Sequence, residues 1–440
     1  RPCLRVCHAR QNVRISTPRP VVEVGPFKKN WQRWAAIPKF RLLLHGELNE
    51  KLEKMRQEEP EANPRPIMKD ADNSLAVITS GSVASHVRDV IVGDSRLKGV
   101  NVFKVDMPFP ASTSSLQEIV ENHEKTLIIE ETYPVLELQL SDRRKVIGRL
   151  SGHVPQQGEL VPELVEDIIL SAAGETPTER EAPSIKPRRP SLCPGCPHRP
   201  AFFLVKQVFQ DAVYTGDIGC YTLGINMGVV DTCLCMGASV GMAAGFSMVG
   251  DAGHSGGVVA TIGDSTFYHS GVPALINAVH TGARFVLVIM DNGTTAMTGG
   301  QPTPATDYLA DGTKGTVVDM EKLVRGCGAD FLEVVDPYDF DGLKETLEKA
   351  KAYTYDENKG VSVVIARRPC VRMPGVETSD ARFSVNENCD RCMSCIRDLE
   401  CPAFEYVKKD KQMLINEDLC SGCGVCVQTC PAQAVEPKGA

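Results

Sequence analysis

The 440-residue sequence predicts an α/β protein of several domains, with a parallel sheet in its second half and a small α+β module at its carboxyl end. Three observations carry this. Strand-like apolar runs alternate with helical periodicity over residues 74–173 and again over 191–373. A stretch rich in proline and charge, 174–190 (GETPTEREAPSIKPRRP), separates the two blocks as a linker. Eight of the 17 cysteines crowd into the last 52 residues in two similar runs, which marks a compact module over 381–440.

Residues 27–62 read as a connection followed by an amphipathic helix, with Leu44, Leu48, Leu52 and Met55 near 3.6 spacing and Pro60, Pro64 and Pro66 ending it. In 74–173, LAVITSG is a strand stopped by Gly81, VRDVIVG is helical, and VNVFKVDMPFP and TLIIEETY are further strands. In 191–373, the apolar runs Val258–Ile262 and Phe285–Met290 flank a helix whose apolar positions include Val272, Leu275, Ile276 and Val279, a βαβ crossover. Its strands run in parallel, so Gly263-Asp264 and Asp291-Asn292 emerge at one carboxyl edge, where open α/β sheets bind ligands. Gly237, Gly241 and Gly245 recur every four residues in MGASVGMAAG, and the expected role is close helix packing. Pro374 to Asp380 connects to the terminal module.

With 42% hydrophobic and 24% charged residues the composition is that of an ordinary soluble protein. The longest apolar candidate for a membrane span, Met236 to Val249, is short and rich in glycine, so membrane insertion is not expected. Net charge is -8, yet residues 1–70 alone carry +7. No aromatic–basic interleaving accompanies that surplus, so it is read as a solvated helix surface facing an acidic partner rather than a nucleic-acid site. Cysteine spacings that suit metal clusters, with no signal peptide, point to a reducing cytoplasm and anaerobic metabolism.

The terminal runs are Cys389-x2-Cys392-x2-Cys395-x5-Cys401-Pro402 and Cys420-x2-Cys423-x2-Cys426-x3-Cys430-Pro431. Three thiolates two residues apart let one tight loop wrap three corners of a cubane, and the fourth comes from elsewhere. This is the arrangement of a bacterial-type ferredoxin module with two [4Fe-4S] clusters, in which each Cys-Pro closes the other run's cluster. Cys389, Cys392, Cys395 and Cys430 are then expected on one cluster, and Cys401, Cys420, Cys423 and Cys426 on the other. Structural zinc sites use cysteine pairs with a spacer, not triplets closed by Cys-Pro. The five residues before Cys401 lengthen a connection without moving the first three ligands.

At the sheet edge, a carboxylate from Asp264 and an amide carbonyl from Asn292 suit a hard Mg2+ ion that borrows phosphate oxygens. Gly263-Asp264-Ser265, with Asn292 after a gap of 26 residues, resembles the Gly-Asp-Gly to Asn motif of thiamine diphosphate enzymes. The resemblance implies that Asp264, Asn292 and the Thr294 carbonyl hold Mg2+ against the diphosphate, with Gly263 admitting the diphosphate and Ser265 replacing the second glycine. His198 and His269 lie near these motifs, and a structural role is expected of each.

LCPGCPHR, GDIGCYTLG, DTCLCMGAS, IGDSTFYHSG, DNGTTAMTGGQPTP and the uneven cysteine tail occur in order, and together they resemble the alpha-subunit family of indolepyruvate ferredoxin oxidoreductases. The resemblance covers nearly the whole chain. It implies oxidative decarboxylation of arylpyruvates to aryl-acetyl-CoA through a thiamine-bound enamine, with ferredoxin as acceptor and a smaller beta subunit as partner. Related 2-oxoacid:ferredoxin oxidoreductases bind a proximal [4Fe-4S] cluster through a Cys-Pro-Gly-Cys pair, a Gly-Cys and a distant cysteine. Cys193, Cys196, Cys220 and Cys370 are the counterparts; they are either a third cluster site or buried small residues or a redox pair. Cys3, Cys7, Cys233, Cys235 and Cys327 lack such spacing and are expected to carry no special chemistry. RPCLRVCHARQNV resembles only the last strand of the family's pyrimidine-binding domain, so 1–73 reads as a remnant of that domain plus the helical connection. The glutamate that activates the cofactor is then expected to be absent from this chain, which leaves the catalytic residue unknown and turnover by the chain alone poor. A pyruvate or other 2-oxoacid enzyme and a subunit that only relays electrons are the alternatives.

Overall fold

A computed structural model describes residues 12, 14, 25–58, 63–180, 189–250, 255–357, 359–376 and 379–438. Cys3, Cys7 and, apart from Asn12, the segment RPCLRVCHARQNV lie outside them. The chain divides into two compact units, Arg1–Ile185 and Lys186–Ala440, with the boundary inside the expected linker.

Among the described residues the first unit begins with a one-turn helix α1 (Trp31–Trp34) and a long helix α2 (Pro38–Glu58). Leu44, Leu52 and Met55 are half-buried, whereas Leu48 and the neighbouring Leu42 and Leu43 are exposed. The apolar spacing therefore builds the helix without burying its stripe among the described residues. A five-stranded sheet follows, from β1 (Arg65–Met68), β2 (Leu75–Ser80), β3 (Asn101–Val105), β4 (Lys125–Ile129) and β5 (Val146–Ile147) in the order β1-β3-β2-β4-β5. β1 is antiparallel to β3 and the other pairs are parallel. Helices α3 (Val83–Gly93), α4 (Thr113–Asn122) and α5 (Pro162–Ala173) cover it. Ala76, Val77 and Ile78 of β2 are fully buried because both faces of the sheet are packed.

The second unit is built on a wholly parallel sheet of β6 (Val213–Thr215), β7 (Val258–Gly263), β8 (Val286–Asp291), β9 (Phe331–Val335) and β10 (Ser362–Arg367), ordered β6-β7-β8-β10-β9. Its helices are α6 (His198–Val208), α7 (Ala238–Met248), α8 (Val272–His280), α9 (Met320–Gly326) and α10 (Phe340–Lys351). β7 and β8 read VVATIG and VLVIMD and are buried throughout, as a central strand covered on both faces must be. Two antiparallel pairs form the terminal module: β11 (Phe383–Val385) with β14 (Val435–Pro437), and β12 (Phe404–Val407) with β13 (Gln412–Ile415). Two short helices, α11 (Ser394–Arg397) and α12 (Val425–Thr429), complete it.

The glycine repeat expected to pack helices closely does not do so. Gly241 and Gly245 lie on an exposed face of α7, and a Cβ added to either would meet nothing within 4 Å. Gly237 differs: it has φ +90°, and a Cβ there would collide with Ser270. No helix among the described residues is long and apolar enough to cross a membrane.

Candidate cofactor and cluster site

The register of β7 on β8 sets Gly263 beside Met290, so Asp264 and Asp291 leave neighbouring strands side by side. Asp264 is 3% exposed, and its Oδ2 has no hydrogen-bond partner. Burial pushes its carboxyl up to about 7, and the Asp291 carboxylate adds to the effect, while the N–H groups of Ser265 and Gly293 oppose it. A buried carboxylate with an orphaned oxygen is costly unless a cation neutralises it, and so the residues fit Mg2+. Arg367 already pairs with the neighbouring Asp291 at 2.7 Å. Asn292 is buried alongside, its Oδ1 accepting from Thr294 N at 3.1 Å. Ser265 Oγ accepts from Thr295 Oγ1 at 2.9 Å, tying the two edge loops together.

Gly263 has a visible reason beyond diphosphate approach. A Cβ there would stand 2.9 Å from Cζ of Tyr221, whose ring fills that side. The Tyr221 hydroxyl bonds the Ile218 carbonyl and Thr266 Oγ1, both at 2.9 Å. Tyr221 directly follows Cys220, so one dipeptide touches the carboxyl edge of β7 and the cysteine group.

Cys193, Cys196, Cys220 and Cys370 come together. Burial pushes the Cys196 thiol up to about 12; the His198 N–H and Arg199 oppose this, and the Cys193 and Cys220 thiols add to it. The Cys220 thiol rises to about 11, first through burial and then through Cys370 and Cys193. Cys370 N donates to Asn292 O at 3.0 Å, joining the fourth cysteine to the edge that carries Asp264 and Asn292. Cys196 and Cys220, whose thiols burial and neighbouring sulfurs disfavour as free thiolates, suit a cationic iron core.

In the terminal module Cys401, Cys420, Cys423 and Cys426 line one cavity, and Cys389, Cys392, Cys395 and Cys430 line a second; Cys426 borders both, and Cys196 borders the first. The thiols ring these spaces rather than converge. Among the described residues no three His, Cys, Asp or Glu side chains stand close enough to chelate a single ion. The longer connection before Cys401 has a structural use, because it carries Leu399 into the main core of the unit. It also brings the Leu399 and Glu400 carbonyls to the buried Arg199 guanidinium, which binds Leu192 O at 2.6 Å and Cys193 O at 3.2 Å as well.

Two family patterns match this unit: "Thiamine pyrophosphate enzyme, C-terminal TPP binding domain" over residues 217–366 and "4Fe-4S binding domain" over 413–436. The indolepyruvate oxidoreductase subunit IorA of Methanothermobacter thermautotrophicus is 36% identical over 459 residues, covering 98% of this chain and 72% of that protein. IorA of Archaeoglobus fulgidus is 35% identical over 97% of this chain and 71% of its own length. The chain belongs to the IorA family of indolepyruvate oxidoreductase subunits. Membership brings a thiamine diphosphate-binding domain and an iron–sulfur domain to the α/β fold described above. A ferredoxin from Rickettsia felis is 36% identical over 58 residues, 13% of this chain and 51% of that protein. A solved 2-oxoglutarate:ferredoxin oxidoreductase from Magnetococcus marinus aligns at TM-score 0.35 with 18% identity, over 42% of this chain and 66% of that one, too weakly to carry an argument.

In this family member, sequence reasoning overlooked several residues that shape the site. Asp217 is fully buried and accepts from Ile218 N at 2.7 Å, Gly237 N at 2.8 Å and Ser239 Oγ at 3.1 Å, which anchors the start of α7. Asp217 and Tyr221 sit in the motif GDIGCYTLG on either side of Cys220. Cys233 Sγ donates to Asp217 O at 3.5 Å, Cys235 is exposed and Cys327 belongs to the apolar core. His269 is exposed on the turn after Asp264. His198, in contrast, is buried against Asn292.

Proposed function

We propose that this chain is the cofactor-bearing subunit of a 2-oxoacid:ferredoxin oxidoreductase that oxidatively decarboxylates arylpyruvates such as indolepyruvate to aryl-acetyl-CoA. One observation supports the reading: Cys370 N donates to Asn292 O at 3.0 Å in a unit that matches a thiamine diphosphate-binding domain, so a cluster on Cys193, Cys196, Cys220 and Cys370 would stand beside the residues proposed for Mg2+. When bound, thiamine diphosphate lets a 2-oxoacid lose CO2 and leaves an electron pair for cluster iron to accept singly.

Asp264, Asn292 and the Thr294 carbonyl would hold Mg2+, and Gly263 and Ser265 would border the diphosphate. Cys193, Cys196, Cys220 and Cys370 would hold a proximal cluster. Cys401, Cys420, Cys423 and Cys426 would hold the next, and Cys389, Cys392, Cys395 and Cys430 one further out. Cys196 and Cys426 line shared walls, so consecutive sites are neighbours and electrons would pass along them to ferredoxin. A beta subunit, coenzyme A and a cytoplasmic setting complete the proposal.

The test is anaerobic reduction of ferredoxin or a viologen by the chain assembled with its beta subunit, comparing indolepyruvate, phenylpyruvate and pyruvate in the presence of coenzyme A. Preference for the aryl substrates supports the reading. Preference for pyruvate reassigns the substrate, and cluster absorption without thiamine diphosphate binding would make the chain a relay alone.

A further inference from the structure

Asn292 is held from both sides of its amide. Thr294 N is a donor only and lies 3.1 Å from Oδ1, which fixes the oxygen on that side. The amide nitrogen must then face the other way, and it stands 3.3 Å from His198 Nε2. An amide NH2 is a donor only, so Nε2 has to be the acceptor, and the ring proton belongs on Nδ1. His198 is itself 3% exposed, and its ring stands edge-on to Tyr221 with centroids 6.1 Å apart, so water does not compete for the contact.

We infer that His198 is a positioning residue for the metal, a neutral acceptor that keeps the Asn292 oxygen, and not its NH2 group, turned toward the Mg2+ edge. The inference rests on the reading of Asp264 and Asn292 as the metal site. Turning the amide over would set two donors against each other at Thr294 N and present NH2 to a cation. Outer partners that orient a metal ligand in this way commonly contribute about 10–100-fold in metal affinity. His198 opens α6 two residues after Cys196, so the loop that carries Cys193 and Cys196 also sets the orientation of a metal ligand.

The test uses the full chain, purified anaerobically with its clusters. Mn2+ binding in the presence of thiamine diphosphate is read by electron paramagnetic resonance. His198→Phe keeps a ring against Tyr221 but has no acceptor, and His198→Leu removes both. His198→Gln restores an acceptor oxygen. The expected result is Mn2+ affinity reduced about 10-fold or more in Phe or Leu and within about threefold of the parent in Gln, with iron content and visible absorption unchanged. Parental affinity in a folded Phe or Leu variant would overturn the inference. So would a Gln variant as weak as Phe, and should neither Phe nor Leu fold, a tenfold loss in Gln alone overturns it while parental affinity upholds it. If the parent binds no Mn2+ with thiamine diphosphate, the cofactor reading fails instead.

Discussion

Gly195 and Ser421 meet with no room for a side chain between them: a Cβ on Gly195 would collide with Ser421 Oγ and stand 3.0 Å from Ser421 Cβ. Gly195 also has φ +70°. The Cys-Pro-Gly-Cys loop therefore rests directly on the loop between Cys420 and Cys423. Tyr338 clamps the same place by donating its hydroxyl hydrogen to the Gly195 carbonyl.

Gly195→Ala should cost about 1–2 kcal/mol for the left-handed backbone alone, and more for the collision. Hydrogen exchange over residues 383–437 and loss of cluster absorption in denaturant report it. Adding Ser421→Gly should recover the collision part and leave the backbone part. A double variant no better than Gly195→Ala would show that the contact is not the cause.

Arg199→Met removes a guanidinium shared by the carbonyls of Leu192, Cys193, Leu399 and Glu400. Among the described residues it also leaves the buried Glu400 carboxylate with only the exposed Arg189, at 3.2 Å. Breaking a buried pair by removing one partner costs about 3–5 kcal/mol. Arg199→Lys should recover less than half, because one ammonium cannot span four carbonyls. Denaturation followed at the cluster absorption checks both, and a Lys variant equal to the parent would refute the shared-fork account.

Asp264→Asn should leave the metal-free fold as stable or more so, since it removes a buried carboxylate whose Oδ2 has no partner. Thermal shift upon adding Mg2+ and thiamine diphosphate should be clear in the parent and absent in the variant. A variant that is destabilised and still shifts would mean that Asp264 is structural.

What could be read from the residues was the local part. Continuous apolar runs placed β7 and β8, and because both are parallel and central, their edge residues Asp264 and Asn292 had to emerge together. Cysteine spacing is likewise local chemistry. The contacts of Tyr221 with Thr266, His198 with Asn292 and Arg199 with Glu400 join segments 45 to 201 residues apart, and no short-range pattern encodes them. The glycines of α7 show the opposite failure: a regular repeat looked like a packing stripe, yet Gly241 and Gly245 face open space.

Glu130 should make the first unit respond to pH in an unusual sense. It is 3% exposed at the end of β4, with Leu136 N donating to Oε2 at 2.9 Å and Glu137 N to Oε1 at 3.1 Å. Burial raises its carboxyl above the ordinary 4.5 against the pull of those N–H groups, and the Glu137 charge adds to the rise. A carboxyl raised by folding contributes its stability fully below 4.5 and loses it as pH climbs through the folded value, opposite to a salt-bridged carboxylate. Glu130→Gln keeps an oxygen that can accept from both N–H groups and cannot ionise. The opening free energy of 125–129, from hydrogen exchange, should therefore shift in favour of the Gln variant as pH rises above 4.5, by about 1.4 kcal/mol for each unit by which the folded carboxyl is raised. A difference that is flat with pH, or that moves in favour of the parent, would mean that the Leu136 and Glu137 N–H groups outweigh burial.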